Sequence, residues 1–173
     1  MNDVLKNSIR FVLFLLIQVF VLNRVPPLHQ FIVPYIYFIF LLWLPYRIHP
    51  FLLLMLSFFY GLALDYFSHS PGLHASACLL IGYLRPLALS LLIQQETAEQ
   101  AYFEPSINSM GFTAYIIYVI FFTFIHHFLL VLIEWLQFGS FLYFLGKVGA
   151  TTGISLLLIA VAELLFHFKK KAA

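Results

Sequence analysis

The chain has 173 residues, of which 63% are apolar and only 9% carry a formal charge, nine Lys and Arg against seven Asp and Glu. Ordinary globular chains hold about a quarter charged residues, so this composition excludes a surface covered by water. The remaining surface is expected to face lipid, which makes the chain an all-α integral membrane protein.

Lys6 and Arg10 precede the apolar run Phe11 to Leu22, and the following Asn23-Arg24-Val25-Pro26-Pro27 has no small-x-small cleavage pattern. The run is therefore expected to be a retained first helix, over about 5–22. A second helix is predicted over 28–44, with Pro34 tolerated among packed neighbours, before the break Pro45 to Pro50. A third follows over 51–67. Ser70 is then a suitable N-cap and Pro71 a suitable first residue for a fourth, over 71–93. The long polar stretch Gln94 to Ser109 carries Glu96, Glu99 and Glu104, and the fifth and sixth helices are predicted over 110–133 and 141–168. Residues 1–173 thus form one transmembrane domain, a six-transmembrane-helix bundle without repeats. Cys78 stands alone in an apolar stretch, so no disulfide framework exists.

Lys and Arg concentrate on the cytoplasmic side in short loops. Cytoplasmic N- and C-termini place Lys6, Arg10, Arg47 and Lys169 to Lys171 inside and leave Arg24 and Lys147 outside. Trp43 and Tyr46 are then expected at the inner interface, and Trp135 and Tyr143 at the outer one. Close helix approach in lipid relies on small residues. Ser57 and Gly61, then Ala75, Cys78 and Gly82, then Gly146, Gly149 and Gly153 form such stripes, so the third, fourth and sixth helices are expected to pack centrally. The second and fifth, lined with Phe38, Phe40, Phe121, Phe122 and Phe124, are expected to be more exposed.

A charge at mid-membrane costs on the order of 2.5 to 3.5 kcal/mol on insertion scales. Arg85 and Glu163 lie at similar depth on the fourth and sixth helices. Either they form an ion pair or each snorkels separately to the headgroups. Asp65, at the end of the third helix, is expected to accept hydrogen bonds from the turn Tyr66 to His74 and fix that hairpin. Enzymatic readings find no machinery. His126 and His127 are adjacent and point about 100° apart on a helix, so they cannot simply share an ion; with His69 and His74 they read as interfacial, hydrogen-bonded histidines. No Gly-x-Ser-x-Gly elbow, His-Glu-x-x-His or phosphate-cradling glycine loop occurs. Neither a metal, a cofactor nor a nucleic acid is expected.

The stretch Gly61-Leu-Ala-Leu-Asp65-Tyr-Phe-Ser-His-Ser-Pro71-Gly72-Leu73-His74-Ala75 resembles the most recognisable part of the bacterial rod shape-determining MreD family. In that family the third of six helices ends in Gly-x-x-x-Asp, followed by a brief turn and a Gly-Leu start to the fourth. Gly61 and Asp65 match the first element, and Gly72-Leu73 with Ala75 the second. The segments Trp43 to Phe51 and Gln94 to Ser109 match nothing family-wide. The resemblance implies a non-enzymatic component of the cell-elongation machinery in the bacterial cytoplasmic membrane. Its partner is the bitopic protein MreC, in one complex with MreB filaments and the peptidoglycan polymerase RodA with its transpeptidase. The family is also similar in architecture to the substrate-binding subunits of energy-coupling-factor (ECF) vitamin transporters, which supplies the alternative reading. Its ligand groups would be Asp65, His69, His74, Ser76 and Lys147.

Overall fold

The structure, a computed structural model, describes residues 3–25, 33–93, 104–136 and 140–167. Among them, five helical stretches are long and apolar enough to cross a membrane, which fits a multi-pass membrane protein. Helix α1 (Asp3–Leu16) continues through a π turn (Ile17–Val21) and a 3₁₀ turn (Leu22–Arg24). A single turn, α2 (Ile39–Leu42), precedes the hairpin of α3 (Pro50–Ser68) and α4 (Leu73–Leu92). After the short α5 (Ile107–Met110) come α6 (Phe112–Trp135) and α7 (Phe141–His167).

The second predicted helix is corrected. Residues 28–32 lie outside the described residues; residues 33–36 are non-helical, and helix exists only over Ile39–Leu42. Pro34 has no amide proton to give, and it disfavours the α conformation in the residue before it. Pro45 closes the other side. This return segment, residues 33–45, is the most enclosed stretch among the described residues, with Tyr37, Phe38, Ile39, Leu41 and Leu42 at 0% exposure. Non-helical backbone is tolerated at membrane depth only when protein surrounds it. Its direction follows from its contacts. Pro34 meets Gln18 late in α1, whereas the Trp43 ring lies under the Arg10 guanidinium, 5.1 Å away, early in α1. The segment thus runs from the hairpin end back to the end where α1 begins.

The expected centre of the bundle is also corrected. Gly61 and Gly82 do bring α3 and α4 together: a Cβ on Gly82 would lie 2.4 Å from Ser57 Oγ. A Cβ on Gly149 or Gly153, however, would meet nothing within 4 Å, so that stripe of α7 faces outward. Helix α6 takes the central place instead, with Tyr115, Tyr118, Phe122, Thr123, His126 and His127 buried, while Phe121 and Phe124 point outward. Trp43 is 1% exposed and is a core residue rather than an interfacial anchor.

Candidate functional site

The polar groups inside the bundle form two layers that hold the return segment. At the hairpin end, Asp65 Oδ1 accepts the His74 N–H at 2.8 Å and Oδ2 accepts those of Gly72 and Ala75 at 3.1 and 2.9 Å. These are the unpaired donors of the first turn of α4. The Ser70 hydroxyl at 3.2 Å and His74 Nδ1 at 2.9 Å complete the set. The α4 cap is therefore a carboxylate from the preceding helix, at the positive end of the α4 dipole. Ser70 and Pro71, expected as N-cap and first helical residue, belong to the turn instead, and Gly72 takes the cap position with φ +84°. That left-handed backbone favours glycine.

One turn into the bundle, Gln18 spans the non-helical part of the return segment. Its amide nitrogen donates to the Pro34 carbonyl at 3.0 Å and its oxygen accepts the Ile36 N–H at 3.0 Å. Gln18 lies in the π turn of α1 and is 1% exposed. Ser155 of α7 accepts the Tyr35 N–H at 3.1 Å, and Tyr60 of α3 donates to the Tyr37 carbonyl at 3.2 Å. Backbone that helical pairing leaves open is thus satisfied by side chains from α1, α3 and α7, as buried amides require.

In the second layer, Arg85 of α4 is 1% exposed and donates to the carbonyls of Leu44 and Pro45, and through Nε to the Tyr118 hydroxyl at 3.1 Å. The Tyr118 hydroxyl donates in turn to the Leu42 carbonyl at 3.1 Å. Glu163 of α7 accepts from Trp43 Nε1 at 2.8 Å and from the Tyr115 hydroxyl. No Arg85–Glu163 ion pair forms among the described residues. The proline that ends the return segment leaves carbonyls with no helical partner, and the five-donor guanidinium takes them. The separate-snorkelling reading is corrected for Arg85 as well, because it is enclosed.

Where α1 begins, Glu104 receives Lys6 at 2.7 Å and Arg10 at 2.8 Å. Burial raises the affinity of that carboxyl for its proton, but the Lys6 and Arg10 hydrogen bonds and charges outweigh it and hold the group below the usual glutamate range. Glu96 and Glu99 lie outside the described residues. At the other end, Lys147 pairs with Glu134.

The structure therefore brings Gly61, Asp65 and Gly72 into one unit, with Pro71 exposed in its turn, and gives Arg85 and Glu163 different partners. Sequence reasoning missed Gln18, Tyr60, Tyr118 and Ser155; it took His126 and His127 as interfacial, hydrogen-bonded histidines, and both are hydrogen-bonded, to Tyr37 and to Thr123 and Ser155, but enclosed by protein at 0% exposure. A glutamine within the apolar run of the first helix was the available signal. No group of three or more His, Cys, Asp or Glu placed to hold a metal occurs among the described residues. Comparison with protein-family models, curated proteins and solved structures finds no match.

Proposed function

We propose that the protein is a non-enzymatic scaffold of the bacterial elongation complex, set in the cytoplasmic membrane with both chain ends inside. In that role it binds the single transmembrane helix of MreC beside MreB and RodA with its transpeptidase. The observation that carries this reading is the α3–α4 hairpin. Gly61, Asp65, Gly72 and Ala75, the residues of the family-like stretch, act on one another there: the carboxylate caps α4 while the glycine lets the two backbones touch. A hairpin whose turn is closed by hydrogen bonds and whose helices touch at the backbone suits a protein that works by presenting packed surfaces to other helices. The basic groups Lys6, Arg10 and Arg47 support the orientation.

The test is co-purification of the tagged chain from its native membrane in mild detergent, with mass spectrometry of what remains bound. Recovery of MreC or of a peptidoglycan polymerase is expected. Recovery of cytoplasmic ATPases with a coupling membrane subunit would overturn the reading in favour of a vitamin-transporter subunit.

A further inference from the structure

Leaving aside two turns at each end, the exposed residues of α1, α3, α6 and α7 are Leu, Ile, Val, Phe, Ala and Gly, as contact with hydrocarbon requires. Helix α4 departs from this at Tyr83, which is 71% exposed. Tyr83 stands halfway along Leu73–Leu92, about 15 Å from either end, and so near the middle of a hydrocarbon layer about 30 Å thick. Its ring is too short to carry the hydroxyl back to the headgroups. The hydroxyl meets no partner among the described residues. The other exposed hydroxyl of α4, on Ser90, donates to the Leu87 carbonyl at 2.7 Å. A hydroxyl moved from water into hydrocarbon without a hydrogen bond is costly, so Tyr83 calls for an acceptor that the described residues do not supply.

The surroundings of Tyr83 fit a helix of the same kind. Leu79, Tyr83, Leu87 and Leu91 are all exposed and follow one another at intervals of four, which makes a single ridge along α4. Ridges of that spacing interdigitate with one another when two helices pack, so this face is complementary to itself. Ser90, small and exposed beside the ridge, allows close approach. Two copies inserted in the same sense are related by a two-fold axis along the membrane normal, and the axis sets their Tyr83 residues at equal depth. A phenol hydroxyl both donates and accepts, so each supplies what the other lacks. Acyl chains offer no acceptor, and a different helix would have to carry one at this particular depth.

We propose that the exposed face of α4 is the interface with a second copy of this chain, packed along Leu79, Tyr83 and Leu87 with the two Tyr83 hydroxyls hydrogen-bonded to each other at the two-fold axis. Arg85 lies on the buried face of α4 and takes no part. This inference stands apart from the scaffold reading.

Disulfide trapping in the native membrane and single-molecule photobleaching of the full chain in liposomes test it. Cys78, the chain's one cysteine, is buried, so Leu87→Cys adds a single accessible thiol. Mild oxidation is expected to give a covalent dimer of Leu87→Cys and none of Phe121→Cys, which lies on the exposed face of α6. In liposomes the unaltered chain is expected to pass from one-step to two-step bleaching as the protein-to-lipid ratio rises. Tyr83→Phe keeps the ring and removes a hydroxyl that touches nothing within the described chain, so its thermal midpoint is expected to stay that of the parent. Its association constant is expected to fall about threefold to tenfold, the size of one hydrogen bond between membrane helices. One-step bleaching at every ratio, trapping through Phe121→Cys in place of Leu87→Cys, or association that Tyr83→Phe leaves unchanged overturns the proposal. Trapping of Leu87→Cys onto a different protein alone overturns it too, and assigns the face to that protein.

Discussion

A Cβ on Gly61 would lie 2.4 Å from the Ala75 Cα and 2.6 Å from the His74 carbonyl oxygen, so α3 and α4 touch backbone to backbone at this point. Backbone cannot swing aside as a side chain can. Gly61→Ala is therefore expected to lower stability by about 1 to 3 kcal/mol or more, the range for overpacking, seen as a fall in the thermal midpoint of the purified chain. Gly149→Ala and Gly153→Ala, whose added methyl groups meet open space within α7, are expected to leave stability unchanged or raise it by up to about 1 kcal/mol, the helix-interior cost of glycine relative to alanine.

Asp65→Asn keeps the shape of the side chain but removes the charge and turns one acceptor into a donor. Three backbone N–H groups, Ser70 and His74 converge on that carboxylate. Removing one partner of a buried charged cluster costs about 3 to 5 kcal/mol. The expected result is a lower midpoint together with faster hydrogen exchange in the first turn of α4, while the far end of α4 near Leu89 keeps its protection.

Among the described residues Arg85 and Glu163 bond different groups of the same layer, Arg85 the Leu44 and Pro45 carbonyls and Tyr118, Glu163 the adjoining Trp43 and Tyr115. In a double-mutant cycle of Arg85→Met and Glu163→Gln, each change lowers the unfolding midpoint, and the coupling, carried through the return segment, is expected to be about 0.5 kcal/mol, the low end for residues of one network. A coupling of several times that size would restore the ion pair. Arg85→Lys is expected to fall short of the parent, because an ammonium lacks the guanidinium fork that reaches the Leu44 and Pro45 carbonyls together.

The Glu104 cluster gives a pH dependence with a definite sign. Its carboxyl is held below the usual range in the folded chain, against about 4.3 when unfolded. The stabilisation is fully present above the unfolded value and is lost as pH falls through the folded one. Thermal midpoints are expected to fall on acidification below about pH 5, and Glu104→Gln is expected to flatten that limb of the profile.

The hairpin was legible in the sequence because local chemistry marked it, with Gly61 as a small contact residue, Asp65 as a carboxylate at a helix end and a helix break at Ser70-Pro71-Gly72, although the next helix starts at Leu73 rather than Pro71. The spans of α3, α6 and α7 follow from apolar length and fall within about two residues of their expected bounds. The return segment was misread for a physical reason. Residues Tyr35 to Leu44 are apolar all round, and a strand of chain enclosed by protein presents the same composition as a helix surrounded by lipid. The glycine stripe of α7 failed in the converse way, since small residues permit close packing without requiring it. Arg85 was correctly singled out as needing a partner, but its actual partners are backbone carbonyls, which no residue pattern displays.

The enclosed return segment is tested most directly by quenching with brominated lipids, because the chain has two tryptophans and they differ in burial. In Trp135→Phe the emission comes from Trp43 alone, which is 1% exposed and surrounded by protein. In Trp43→Phe it comes from the half-buried Trp135. The expected result is weak quenching of Trp43 beside strong quenching of Trp135. Trp43 emission quenched as strongly as that of Trp135 would contradict the account, placing residues 33–45 against lipid as an ordinary spanning helix.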